Sequence, residues 1–422
     1  PIAIVLLLLA ATPASSALFA AIAPPAAPTI GLPGPRDGDI ILLLAKHRGI
    51  HVDRLPLVEP QPGDTIPGLV GRFATRAGHV APSEADLAVF ASLDPALVPP
   101  ILALLVAVER VWDLRDAAFE GVDPKHPILS QEQERQLVEA AILLLDTLDA
   151  VVIPQLQALA DAPVWPPVAV ADPVGILRIG SAGNDVDTLP RAISIDGRGN
   201  DVYKNRIAYA TPVDFNPMTV ETPVAVAIDL QGDDKYVNAA NGRAFLGIAA
   251  FYDLRGNDEY VCSFCLGKAT IGVALARDVG GGDTYTTGVD ALGTVAGAAG
   301  GLGYFREDMG DDRYLAETYA VGAADDSGIG MFWDRQGADL YESHDSAIAL
   351  FGWGSGTADA WHIDEGAEID TYWNRERALP YGNGRCDQCI WSSGRDNPSH
   401  FGGRGNNGEG GLAYLFAYQD TH

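Results

Sequence analysis

Between Asp196 and Tyr372 the chain returns seven times to one phrase, Asp-x-x-Gly-x-Asp-x-Tyr or a close variant. The copies are DGRGNDVY (196–203), DLQGDDKY (229–236), DLRGNDEY (253–260), DVGGGDTY (278–285), EDMGDDRY (307–314), DRQGADLY (334–341) and DEGAEIDTY (364–372). A weaker forerunner, SAGNDVD, occupies 181–187. Successive tyrosines are 33, 24, 25, 29, 27 and 31 residues apart. A period in this range marks a stacked architecture, because one short repeat cannot bury its own apolar face. Between the phrases lie short β-like runs such as AVAIDL, IGVALARD and GIGMFWD. A strand that enters a Gly-Asp turn, followed by a strand that opens with Tyr, reads as one rung of a coiled sheet. The expected fold is mainly β: a C-terminal β-solenoid over 176–380, of about seven to eight repeats of 24–33 residues, with two or three short strands per turn. A β-propeller ranks second, since these spacings are short for four-stranded blades.

The phrase also carries chemistry. Gly199, Gly232, Gly256, Gly282, Gly310 and Gly337 suit a turn that tolerates no Cβ. The aspartates two residues beyond the turn would form one column along an edge of the solenoid. Stacked strands lie about 4.8 Å apart. At an effective dielectric near 20, two carboxylates ~5 Å apart repel by roughly 3 kcal/mol. Two remedies are open: hydrogen bonds from turn N–H groups, or a bound cation.

The copy Asp196-Gly197-Arg198-Gly199-Asn200-Asp201-Val202-Tyr203-Lys204 is similar to the nonapeptide Gly-Gly-x-Gly-x-Asp-x-U-x of RTX calcium-binding β-rolls, where U is a large apolar residue. The resemblance covers about half the chain. It implies Ca²⁺ as the cofactor, with Asp201, Asp234, Asp258, Asp283, Asp312, Asp339 and Asp370 as ligands and the seven tyrosines as core residues. RTX nonapeptides run in tandem, whereas here one occurs per 24–33 residues.

Outside the repeats the chain is heterogeneous. It has 422 residues, with 56 acids against 28 bases, for a formal charge of −28. That sign excludes a nucleic-acid binder, whose affinity rests on neutralising phosphates. Cations or a basic protein surface are the fitting partners, the alternative being that the acids simply keep a Gly-rich solenoid soluble and discourage self-association. Residues 1–23 are almost wholly apolar and read as a signal peptide or membrane anchor. Either places the protein outside the cytoplasm, as a secreted, periplasmic or cell-surface protein, with a membrane contact through this segment if it is retained. Residues 24–82 read as a Pro/Gly-rich tether and irregular region, in which the apolar run Ile40–Ala45 has no assigned type. An α-helical hairpin is expected over 83–162. It comprises a short helix near Glu84–Ser92 after Ser83, a long helix within Asp94–Phe119, and a helix to about Ile153 opened by the Ser130/Gln133 capping box. Residues 163–175 read as a linker, and 381–422, which lack the phrase, as a C-terminal cap.

All four cysteines fall into two Cys-x-x-Cys pairs, Cys262/Cys265 and Cys386/Cys389. The rungs of Tyr260 and Tyr372 are four turns apart, about 19 Å at ~4.8 Å per turn, too far for one shared metal. Local disulfides are the simpler account in an oxidising compartment, with a four-cysteine metal site and free thiols as the alternatives. No His-Glu-x-x-His, Gly-x-Ser-x-Gly or Walker-type loop occurs. His344 and His362 lie near Asp345 and Asp364, a pairing more common on solvated surfaces than in active sites. Aromatics gather late in the chain, from Phe332 to Trp391, and suit a core, a sugar or an interface. The expected function is non-enzymatic: a structural or interaction protein, an accessory subunit that binds other protein subunits of an envelope or membrane assembly. The alternative is a carbohydrate-binding or polysaccharide-cleaving β-helix protein.

Overall fold

The computed structural model describes residues 34–123, 126–204, 206–211, 222–237, 241–262, 266–287, 295–316, 322–325, 327–343, 359–366, 371–374, 400–404 and 412–419. Short strands and tight turns coil into a β-solenoid of about four turns over residues 224–342, with a group of helices beside it. Each turn contributes three strands in parallel ladders. In one turn, Val224–Asp229 lies on the first face, Lys235–Val237 on the second and Arg243–Phe245 on the third, before Ile248–Asp253 returns to the first. Parallel pairing throughout the repeat replaces the propeller alternative, whose blades would be antiparallel.

The first face is the backbone of the molecule. Its strands Ile193–Asp196, Val224–Asp229, Ile248–Asp253, Val273–Asp278, Leu302–Glu307, Ile329–Asp334 and Asp359–Gly366 pair in strict register. Side chains alternate across a strand, and here both sides are dry. Val224, Val226, Ile228, Tyr252 and Leu275 point outward into one core with the helices. Ala225, Ala249 and Ala274 point inward with Ala210, Ala244 and Ala269 from the third face. The lumen is narrow, so alanine fits where leucine would overfill it. Burial on both sides explains why these strands read as continuous apolar runs instead of alternating ones.

The helices are ordered by familiar signals. Helix α1 (Asp37–His47) contains the apolar run left untyped by sequence, with acids in its first turn and Lys46 and His47 in its last. Helix α2 (Ile66–Arg76) lies inside the stretch expected to be irregular. Pro67, Gly68 and Gly71 disguise it, yet Thr65 caps it and Leu69, Val70, Phe73 and Ala74 recur at helical spacing on its buried side. Helix α3 (Glu84–Leu87) is opened by a Ser83/Asp86 capping box and runs into a 3₁₀ turn, Ala88–Ser92. Helices α4 (Val98–Ala118) and α5 (Gln131–Thr147) form the expected hairpin, and the Ser130/Gln133 box is present. A π turn, Leu148–Val152, carries α5 into α6 (Ile153–Gln157).

Two ends of the first face are closed by the chain itself. Val170–Ala171, within the expected linker, pairs antiparallel with Leu177–Ile179. At the far end Leu412–Gln419 joins Asp359–Gly366 in parallel and His400–Arg404 pairs antiparallel with it. Among the described residues no helix is long and apolar enough to cross a membrane. Residues 1–23, expected to be a signal or anchor, lie outside the described residues, as do Cys265, Cys386, Cys389, His344 and Asp370. Cys262 is described as the last residue of the strand Glu259–Cys262.

Candidate metal centre

Each phrase places two acids, and in the six phrases from Asp196 to Tyr341 the structure turns both inward. The first acid ends a first-face strand, so Asp196, Asp229, Asp253, Asp278, Glu307 and Asp334 stand in register. Five residues later, after the turn, comes the second acid: Asp201, Asp234, Asp258, Asp283, Asp312 or Asp339, each at most 3% exposed. The sequence reading expected one column of aspartates on an edge. There are two columns, and both are buried. The first acids were visible as the opening letter of every copy, but only the register of the first face aims them at the second set.

The turn between the two acids is set by backbone contact. A Cβ on Gly256 would lie 1.8 Å from the Gly232 carbonyl oxygen, and one on Gly281 would lie 1.6 Å from that of Gly256. Glycine is therefore required by the closeness of the next rung. In the fourth copy the structure assigns this place to Gly281 rather than to Gly282, whose Cβ would meet nothing nearer than 3.3 Å.

Hydrogen bonds then run from rung to rung. The backbone N–H of Asp234 donates to Asp258 Oδ1 at 2.6 Å, that of Asp258 to Asp283 Oδ1 at 2.6 Å, that of Asp283 to Asp312 Oδ1 at 2.7 Å, and that of Asp312 to Asp339 Oδ1 at 2.7 Å. N–H groups thus do meet these carboxylates, but from the neighbouring rung instead of the same turn. Asp234, Asp258, Asp283 and Asp312 keep Oδ2 buried with no hydrogen-bond partner.

Tyrosine hydroxyls supply the first acids. Tyr236 donates to Asp253 Oδ2 at 2.6 Å and Tyr260 to Asp278 Oδ2 at 2.7 Å, while Tyr314 and Tyr341 converge on Asp334 Oδ2 at 2.8 and 2.9 Å. The rings themselves stack: Tyr203, Tyr236, Tyr260, Tyr285, Tyr314 and Tyr341 follow one another with centroids 4.7–4.9 Å apart. They are core residues, as the phrase predicts. Tyr372 continues their register in the strand Thr371–Asn374.

Carboxyl groups so placed resist ionisation. Burial, followed by the charges of Asp229 and Asp253, pushes Asp234 up to about 11. Burial and the neighbouring Asp278 and Asp312 push Asp283 up to about 11. Asp201 rises to about 9, chiefly from burial and then from Asp196. Asp258 is displaced upward as well, by burial and then by Asp253 and Asp278. Of the first acids, Asp229 rises to about 7 and Asp278 to about 6, again chiefly by burial, while Asp253 and Glu307 are pushed well above their ordinary values by burial and then by neighbouring acids. For Asp278 the hydroxyls of Tyr260 and Tyr285 oppose the rise.

First and second acids meet in threes. Asp201, Asp229 and Asp234 offer carboxylate oxygens within 4.8 Å of one another, and so do Asp234, Asp253 and Asp258; Asp258, Asp278 and Asp283; and Asp283, Glu307 and Asp312. These groups can hold a metal ion. Ca²⁺–oxygen bonds are about 2.3–2.6 Å long, so one such ion can touch all three oxygens of a triad. All-oxygen donor sets suit a hard cation such as Ca²⁺ and disfavour soft transition metals.

A fifth triad, Asp185, Asp196 and Asp201, shows what the others lack. Arg178 reaches Asp196 at 2.7 Å, Asp185 at 2.8 Å and Asp201 at 3.9 Å, so a guanidinium fills it. Sequence reasoning missed Arg178 because it precedes the first full phrase. In later rungs the residues in register with Arg178 are Ser194, Ala227, Phe251, Ala276 and Phe305. None carries charge. Comparison of the chain with protein-family models, with curated proteins and with solved structures returned no match.

Proposed function

We propose that this protein is a non-enzymatic structural or interaction protein of the extracytoplasmic face, an accessory subunit of a cell-envelope or membrane-associated assembly. In this reading the solenoid comprises all seven to eight repeats and is stabilised by Ca²⁺, and the apolar residues 1–23 direct export or anchor the chain. One observation carries the reading. The acids that recur in every rung are buried and bonded to the next rung, so the repeated chemistry serves the stack rather than a substrate. An active site would break the repeat at one place and expose its acids in a cleft. The carbohydrate reading needs carboxylates within hydrogen-bond reach of a glycosidic oxygen, and acids at most 4% exposed are poorly placed for that.

Fractionation of native cells by density gradient, followed by native electrophoresis of the envelope fraction, tests the assignment. The protein is expected in the envelope fraction, migrating in a larger assembly; recovery as a cytosolic monomer would overturn it. A polysaccharide-cleaving activity lost in a folded Asp258→Asn variant would replace it with the enzyme reading.

A further inference from the structure

The lumen of the solenoid holds a row of buried carboxyl groups that, among the described residues, no basic side chain accompanies beyond its first rung. Each rung from Asp229 to Asp312 contributes two buried carboxyl groups, and among the described residues none of these eight forms an ion pair with Lys or Arg. A buried carboxyl group either keeps its proton or, once ionised, requires a partner of opposite sign. At the start of the column the chain provides that partner as Arg178. Beyond it the positions in register are serine, alanine and phenylalanine, yet the triads persist with the same geometry. In each of them a buried Oδ2, of Asp234, Asp258, Asp283 or Asp312, is aimed inward without a hydrogen-bond partner.

We propose that the four triads beyond Arg178 are divalent-cation sites strung along the solenoid axis, each built by the first acid of one rung and the second acids of that rung and the rung before it. The assignment deepens the calcium part of the proposed function and changes its location. The RTX resemblance implies sites in the turns with one ligand aspartate per phrase. The axial sites instead enlist Asp229, Asp253, Asp278 and Glu307, which that resemblance leaves without a role. Two carboxylates per rung match one divalent ion per rung in charge. The second acids are shared: Asp234 belongs to two triads, and so do Asp258 and Asp283. The first acids each belong to one of the four.

Sharing makes the proposal testable by counting. Tb³⁺ replaces Ca²⁺ in oxygen sites and luminesces when a nearby tyrosine is excited. The hydroxyls of Tyr236 and Tyr260 hydrogen-bond to Asp253 Oδ2, so the sensitising rings stand at the sites themselves. Titration of the chelator-treated full chain is expected to reach at least four tyrosine-sensitised equivalents, with Ca²⁺ competing and raising the melting temperature. Asp253→Asn should remove one equivalent and Asp258→Asn two. Asparagine keeps the Oδ1 acceptor that Asp258 offers to the Asp234 N–H, which favours a folded variant. Arg178→Gln should add one equivalent by vacating the fifth triad. Absence of sensitised emission, or emission that no variant changes, would overturn the axial sites and leave only ions adsorbed to the acidic surface. The scaffold reading is judged separately, by the gradient experiment.

Discussion

Two clusters of buried charge lie on opposite sides of the first face, and they are solved differently. On the helix side, Arg277, Arg306 and Arg335 gather around Asp308, with Asp37 paired to Arg277 and Asp149 beside them. Arg277 bonds Asp37 at 3.0 Å and Asp308 at 2.6 Å, Arg306 bonds Asp308 at 2.6 Å, and Arg335 bonds it at 2.8 Å. Asp149 accepts from the backbone N–H of Asp37 at 2.9 Å. On the lumen side, one residue further along the same strands, Asp278 and Glu307 face other acids. Adjacent residues of one strand thus meet opposite electrostatic environments. Where two parts of the chain dock, the chain provides both signs of charge. Where a rung stacks on copies of itself, it meets only its own sign, and a repeat cannot supply a counter-charge that the repeat lacks.

The largest effect should come from breaking the balanced cluster. Asp308→Asn leaves three guanidinium groups around a neutral side chain, and loss of a buried partner typically costs about 3–5 kcal/mol. Urea unfolding should show that loss, and a change below about 1 kcal/mol would mean that the helices do not lean on this contact. Next is the stack itself. Gly256→Ala forces a Cβ onto the Gly232 carbonyl and should cost about 1–3 kcal/mol, as overpacking does. The same change at Gly282 should be much milder, which separates the two glycines directly.

A pH series sharpens the comparison further. Burial, then the charge of Asp37, pushes Asp149 up to about 8, against the lowering effect of Arg277 and Arg306. Its native value lies above the ordinary carboxylate value of the unfolded chain, so the native state holds the proton more tightly. Its contribution to stability is therefore greatest below that ordinary value and declines as pH rises through about 8. Asp149→Asn should flatten this part of the slope between pH 5 and 8, and an unchanged slope would exclude Asp149 as its source. The smallest effect belongs to the exposed ladder beside the buried one. Asn257 Oδ1 accepts from the Gly282 N–H at 3.0 Å, while its own N–H donates to Asp233 at 2.9 Å. In water such a bond is replaceable, and Asn257→Ala should cost no more than about 0.5–1.5 kcal/mol.

Much of this architecture was legible from local signals. The buried tyrosines, the helical hairpin, the helix start at Ser83 and the capping box at Ser130 follow from spacing and from short-range hydrogen bonding. Helix α2 was not legible, because Pro67, Gly68 and Gly71 speak for a loop while the core beneath Leu69 and Phe73 decides for a helix. The second acid of each phrase was recognised by its place after a turn. The first was passed over because nothing local distinguishes an acid that ends a strand on the surface from one that ends it in a lumen.

The phrase by itself determined the rung: a strand, a glycine turn and a tyrosine, repeated often enough that stacking was the way to bury it. Only the tertiary structure decided which way the acids face, because direction depends on the register of seven first-face strands and on helices that cover their outer side. It likewise decided that Asp37 should find Arg277, 240 residues away. Repetition is a local property of a chain, whereas the environment of a charge is set by whatever the fold brings beside it.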